Sequence, residues 1–287
     1  MSASASGYLR HFIACNRHDP SRYVPFVIAG TRYGFVEKSL AGLLRQKISG
    51  FIGDKNTLAL DPALTDFKAR SAVLQEAVLW LMQQFKQEIR DEMYPLITQI
   101  DEDPIAQIDR AAASHFGIRG WGVHVNGYVR RAEGVFLWVG QRALDKWVDA
   151  GKFDEMIAGG HSIGFSIEET LQKEAEEEAG LGVEITRNAR FVREISYRMA
   201  HNKGLRDHTL MVYDLEMPEG VVPRNTDGEV AAFHLMPLRE VAALVRDTDR
   251  VKFNCNLVMT DFLFRHGALD TQDLEYGLLA RLLGTGV

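Results

Sequence analysis

Residues 158–181 read AGGHSIGFSIEETLQKEAEEEAGL, and the fold turns on how this stretch is understood. Ser166, with Glu169 three positions on, makes a capping box, in which each side chain satisfies a backbone N–H at the start of a helix. Gly180 supplies a helix stop. The spacing predicts a helix over about 167–179, with Ile167, Leu171, Ala175 and Ala179 recurring every four residues toward a core.

On that helix Glu174, Glu177 and Glu178 are spaced i, i+3, i+4, so they share one side within a turn. Like charges so placed repel, and they lie toward the helix C-terminus, where the macrodipole disfavours anions. Two readings follow. The run is a solvated acidic face, as many such runs are, or it is a set of oxygen ligands whose repulsion a divalent cation reverses. Upstream, AGGHSIG places three glycines in an expected loop. Its backbone N–H groups, at Gly159 and Gly160 above all, can approach phosphate oxygens.

Working outward, WGVHVNGYVRR (121–131) alternates as a strand, and GVFLWVGQR (134–142) is its hairpin partner. HTLMVYDLEM (208–217) and EVAAFHLMPL (229–238) are further strands; 238–247 and 256–267 are helices. Toward the N-terminus, PFVIAG (25–30) is a strand and 36–46 a helix with Leu40, Leu43 and Leu44 in step. Residues 71–89 form the longest expected helix, with Leu74, Ala77, Val78, Leu81 and Phe85 as a core stripe. The proline and glycines of 100–120 put a domain boundary near residue 110. The pattern is α+β: an N-terminal α/β domain over 1–110, then a mixed-sheet domain over 111–287.

The bulk numbers are those of an ordinary globular chain: 287 residues, 46% hydrophobic, 25% charged. A formal charge of −6 gives no basic field for nucleic acid or an anionic membrane surface. No run approaches the ~18 apolar residues of a membrane span. The start, MSASASGYLRHF, lacks the apolar core of a signal peptide. Two distant cysteines, Cys15 and Cys255, make neither a disulfide framework nor a zinc site, so a reducing cytoplasm is the expected setting.

The central stretch resembles the Nudix box: Gly, five residues, Glu, seven residues, Arg-Glu, an apolar residue, any residue, Glu-Glu, any residue, Gly, an apolar residue. Counted from Gly159, the residues Glu174, Ala175, Glu177, Glu178, Gly180 and Leu181 fall in register. Phe165 stands where the first Glu belongs, and Lys173 replaces the Arg, keeping its charge without its fork geometry. HVNGYV, FDEMIAGG, ISYR, YDLEMP, DGEVAAFHL and KFNCNLVMTDFLFRHG, with the N-terminal ACNRHDPSRYVPFVIAGTRYGFV, resemble a narrower subfamily. It is related to the Nudix domain fused to fungal thiamine pyrophosphokinases, and its own box often lacks the first Glu.

The resemblance implies a Nudix fold, a mixed β-sheet sandwiched by helices. It implies Mg²⁺ or Mn²⁺ held by Glu174, Glu177 and Glu178, and hydrolysis of a small diphosphate. Thiamine diphosphate or its oxidised derivatives is the first expectation. ADP-ribose or a nucleotide sugar is the runner-up. A ligand-sensing module without catalysis, or an isomerase on a diphosphate ester, are the other readings. Glu229 is either an additional ligand or general base, or a surface carboxylate. Arg142 contacts either phosphate or an internal carboxylate. His124 and Asn126 either line the base pocket or pack internally. His201 and Asn202 fall in an expected loop. Trp121, Tyr128, Phe136 and Trp138 offer stacking surfaces, most of them core. The N-terminal part either walls the pocket or mediates a homodimer.

Overall fold

A computed structural model describes residues 7–145 and 149–284. The chain opens with α1 (Leu9–Cys15). A first unit follows: β1 (Tyr23–Ile28), β2 (Thr31–Glu37), α2 (Lys38–Lys47), β3 (Phe51–Gly53), β4 (Leu58–Leu60), α3 (Phe67–Phe85), β5 (Met93–Pro95) and β6 (Gln107–Asp109). Its sheet runs β2-β1-β4-β3, and β5 pairs with β6. α3 starts because the Asp66 side chain accepts the Ala69 N–H at 2.8 Å, and it buries Leu74, Ala77, Val78 and Leu81 against that sheet. Phe85 departs from the expected stripe: it lies on the last turn, half in solvent, stacked on His115 at 5.0 Å.

The chain crosses to a second unit through α4 (Ala113–Phe116). There follow β7 (Arg119–Arg131), β8 (Gly134–Arg142), β9 (Phe153–Asp154), β10 (Ile157–Gly160), α5 (Ile167–Ala179), α6 (Val183–Thr186), β11 (Arg190–His201) and β12 (Gly204–Glu216). Then come β13 (Val230–Pro237), α7 (Leu238–Asp247), α8 (Cys255–Arg265) and α9 (Tyr276–Gly284). The main sheet runs β11-β12-β7-β8-β13, with β10 on β7 and β9 on β8. It is mixed, since β12 runs parallel to β7 while β8 and β10 run antiparallel to it.

The period-2 alternation of β7 sends Trp121, Val123 and Val125 into one core with Ile167, Leu171, Ala175 and Ala179 of α5. On the other face Leu210 and Val212 meet Leu257 and Val258 of α8. Helices therefore cover both faces, the α+β sandwich expected. Two things differ from expectation. His201 and Asn202 belong to the tight turn joining β11 to β12, where His201 pairs with Gly204. And α1 packs with the second unit: Tyr8 joins the cluster of Phe262 and Leu263, and Cys15 that of Leu257 and Val258. No described helix is long and apolar enough to cross a membrane.

Candidate active site

The capping box forms as read. Ser166 Oγ accepts the Glu169 N–H at 3.1 Å, and Glu169 Oε2 accepts the Ser166 N–H at 2.7 Å. At the other end Gly180 adopts φ +62°, and the Gly180 and Leu181 N–H groups return to Glu176 and Ala175 carbonyls. Thr226, in the loop before β13, donates its hydroxyl to the Glu177 carbonyl at 2.7 Å and ties that loop to the helix end.

The three glutamates sit at graded depth. Glu178 is 8% exposed, and its Oε2 accepts the Ala158 N–H from the free edge of β10 at 2.8 Å. Burial, reinforced by the charges of Asp154 and Glu174, pushes its carboxyl well above the usual carboxylate range. The Glu174 side chain is 15% exposed and lies directly against Gly159, and burial raises its pKa too, with Lys173 opposing. Glu177, 47% exposed, is outermost. Lys173 bridges the two outer carboxylates, 3.1 Å from Glu174 and 2.7 Å from Glu177. The lysine at the box's arginine position thus still orients two acids, one through each contact.

The glycine-rich segment is not the loop expected. Residues 157–160 are β10, laddered to β7 with Gly159 opposite Val123 and Gly160 opposite Gly122. Hydrogen bonding to β7 gives this segment a fixed extended backbone. Close approach explains the glycines instead. A Cβ on Gly159 would fall well under 3.0 Å from the Glu174 carboxyl, and one on Gly160 would lie 2.8 Å from the Tyr94 hydroxyl. Tyr94 and Glu92 come from the first unit, which thereby walls this edge. Glu92 also accepts from Ser162 Oγ at 3.1 Å.

Arg142 takes the internal carboxylate. Its Nη1 is 2.8 Å from Asp154 Oδ2, which Lys252 Nζ also reaches at 2.9 Å. Burial alone would raise the Asp154 pKa, but Lys252 and Arg142 hold it below the ordinary value. Asp154, Glu155 and Cys255 form a buried group with ligand atoms within 4.8 Å of one another. It suits a cation poorly: two basic side chains already balance Asp154, and burial with the Asp154 charge keeps the Cys255 thiol protonated. Glu229 is exposed, its N–H on Asp227 Oδ1 at 2.8 Å and its carbonyl accepting from Ala143.

His124 is buried with Nδ1 3.3 Å from Glu155 Oε1. Asn126 donates to Asp214 Oδ1 at 3.0 Å, deep in the structure. Trp121, Tyr128 and Trp138 are core residues, and Phe136 lies under Arg131 at 5.1 Å. A hollow of about 330 Å³ is lined by Ile97, Ile100, His161, Ile163 and the half-exposed Phe165. None of the three glutamates lines it. Sequence reading passed over Glu92, Tyr94 and Lys252, which local pattern does not mark because each reaches the site from a distant element.

Residues 120–256 match the model of the NUDIX domain, and residues 7–120 match a Domain of unknown function (DUF4743). The chain is 36% identical over 290 residues to Nudix hydrolase 24, chloroplastic, of Arabidopsis thaliana, covering 99% of this chain and 80% of that one. The chain belongs to the Nudix family. A second relative, Nudix hydrolase 20, chloroplastic, of the same plant, is 34% identical, covering 96% and 77%. Among solved structures, DR0079 from Deinococcus radiodurans is similar at 17% identity and TM-score 0.44, covering 58% of this chain and 97% of that one.

As a Nudix hydrolase the protein calls for a divalent metal, and the box residues suit one by their chemistry, but the three do not bring ligand atoms within 4.8 Å of one another as Asp154, Glu155 and Cys255 do. Glu174, Glu177 and Glu178 offer only carboxylate oxygens, the donors that hard cations take. The two deeper acids crowd together at the edge of β10 with raised pKa values, an unfavourable arrangement that a cation would relieve.

Proposed function

We propose that this Nudix hydrolase cleaves the phosphoanhydride of a small diphosphate, with thiamine diphosphate or its oxidised derivatives yielding the monophosphate as the leading substrate. Mg²⁺ or Mn²⁺ would be held by Glu178, Glu174 and Glu177. The observation that carries the reading is the pair of sunken carboxylates, Glu178 and Glu174, converging on the β10 edge beside Gly159. The substrate class is supported by the resemblance of segments on both sides of the box, the N-terminal unit included.

A bound divalent ion would neutralise the diphosphate and acidify a coordinated water. The chain's own residues do the rest. Glu178 is fixed by the Ala158 N–H and cannot swing away. Lys173 keeps Glu174 and Glu177 turned to the same side. Glu177, the most solvent-accessible of the three, would orient an incoming water.

Phosphate release from a panel of thiamine diphosphates, ADP-ribose and nucleotide sugars, with and without Mg²⁺ or Mn²⁺ and with products identified by mass, tests this. Metal-dependent cleavage of a thiamine diphosphate is expected. Cleavage of ADP-ribose alone would move the assignment to nucleotide substrates; an intact diphosphate in every case would refute hydrolysis. Glu178→Gln should remove most turnover and raise the melting temperature of the metal-free protein, since it deletes a carboxylate whose ionisation burial opposes.

A further inference from the structure

The strands β7, β10 and β12 have a second face, opposite α5. Residues alternating with Trp121 and Val123 point there: Gly120 and Gly122, in register with His208 and Leu210 of β12, and Gly160 of β10 opposite Gly122. Three glycines thus pave one floor. The His208 ring leans over it, 3.0 Å from where a Cβ on Gly120 would be, and stacks on Tyr197 at 5.7 Å. Arg206, two residues before His208, shares this face by the strand period.

Arg206 is half-buried, with Nη2 3.3 Å from His201 Nε2 and its guanidinium 5.0 Å from the Phe253 ring centre. Among the described residues no carboxylate pairs with it. Comparable half-buried arginines nearby are paired: Arg193 with Asp261, Arg198 with Asp207, Arg265 with Asp214. From the first unit, Tyr94 and Glu92 stand over Gly160, and Arg110 joins them, 2.6 Å from Glu92 and 5.9 Å from the Tyr94 ring centre.

Cations lie around His208 and His201 although the chain carries −6. Burial, then Arg206 and Arg110, push His208 down to about 3. Burial, then Arg206 and Lys203, push His201 down to about 4. Burial lifts the Tyr94 hydroxyl to about 12, with Arg110 and Arg206 pulling it down and Glu92 and Glu174 pushing it up.

We propose that Arg206 and Arg110 bind a phosphate group of the ligand over the floor of Gly120, Gly122 and Gly160, so that the N-terminal unit supplies part of the substrate site. A guanidinium fork matches phosphate oxygens in two parallel hydrogen bonds, and a half-buried one without a counter-ion gains most from such a partner. Glu174 lies against Gly159, the next residue along β10 but on the α5 face, so a diphosphate anchored here would reach the metal-binding acids around the free edge of β10.

This inference rests on the diphosphate reading of the site, but its test does not need turnover. The full chain, freed of metal by chelation, is titrated calorimetrically with inorganic phosphate and with methylenediphosphonate. Arg206→Gln and Arg110→Gln should each weaken binding by about tenfold or more, the value of a charge-assisted hydrogen bond. Arg187→Gln, on the exposed surface after α6, should change nothing. Wild-type affinity in a folded Arg206→Gln protein, or no phosphate binding by the wild type, overturns the site. Wild-type affinity in Arg110→Gln overturns the N-terminal contribution. Should Arg206→Gln not fold, Arg206→Lys keeps the charge and loses the fork; full affinity there also overturns the assignment. A protein that binds phosphate here yet cleaves no diphosphate would refute the hydrolytic reading and leave this site standing.

Discussion

A single methyl group at Gly159 should separate catalysis from folding. The glycine sits in the β10 ladder without a left-handed φ, so alanine fits the backbone and should add about 0.4–1 kcal/mol of stability by stiffening the unfolded chain. Its Cβ, however, would fall well under 3.0 Å from the Glu174 carboxyl carbon. Ordinary carbon contacts need about 3.5–4 Å, so the carboxylate must shift by roughly 1 Å or more. Glu174 can move, because its side chain is long and, among the described residues, the side chain that hydrogen-bonds to it is the flexible Lys173. Misplacing a catalytic group by ~1 Å costs up to about a hundredfold in rate, or ~2.7 kcal/mol of barrier. Gly159→Ala should therefore melt at or slightly above the wild-type temperature while losing about one to two orders of magnitude in metal-dependent turnover and weakening divalent-metal binding. Wild-type turnover and metal affinity in that variant would refute the claim that this glycine exists to seat Glu174.

Lys173→Met should lower turnover by about tenfold with stability changed by less than ~1 kcal/mol, since the exposed pairs it breaks orient acids more than they stabilise. Lys173→Arg should restore the rate, and equal rates in all three proteins would count against the bridge. Asp154→Ala removes the buried carboxylate that Lys252 and Arg142 share and should cost about 3–5 kcal/mol in urea unfolding; a loss below ~1 kcal/mol would contradict the network. His115 is driven from 6.5 to about 4 by burial, with Lys203 and His201 adding to it. The unfolded chain takes up that proton first, so the stability it lends is complete above pH 6.5 and fades as pH falls toward 4, by at most about 3 kcal/mol. Unfolding curves at successive pH values should show a shallower acid slope in His115→Gln; an unchanged slope would exclude the residue.

The helix at the centre was legible because its signals are local: capping box, four-residue apolar spacing and terminal glycine all lie within 166–180. The β7–β8 hairpin was legible for the same reason. What escaped has non-local causes. β11 is a sheet-edge strand whose buried Ile195 and Tyr197 alternate with exposed Glu194 and Ser196 over only a short run among the charges of 190–198, and it is held by its pairing with β12. The glycines of β10 look like a flexible loop in sequence; only the arrival of Glu174 and Tyr94 against them gives their reason. Arg142 could not be assigned until the fold brought Asp154 to it.

The threading of α1 makes the molecule a clasp. Severing the chain near residue 110 would not liberate two intact halves. It would uncover the greasy seat that Tyr8 occupies beside Phe262 and the one Cys15 fills beside Leu257. A hydrolase half made alone would be sticky and short of a helix unless residues 7–16 were supplied as a separate peptide.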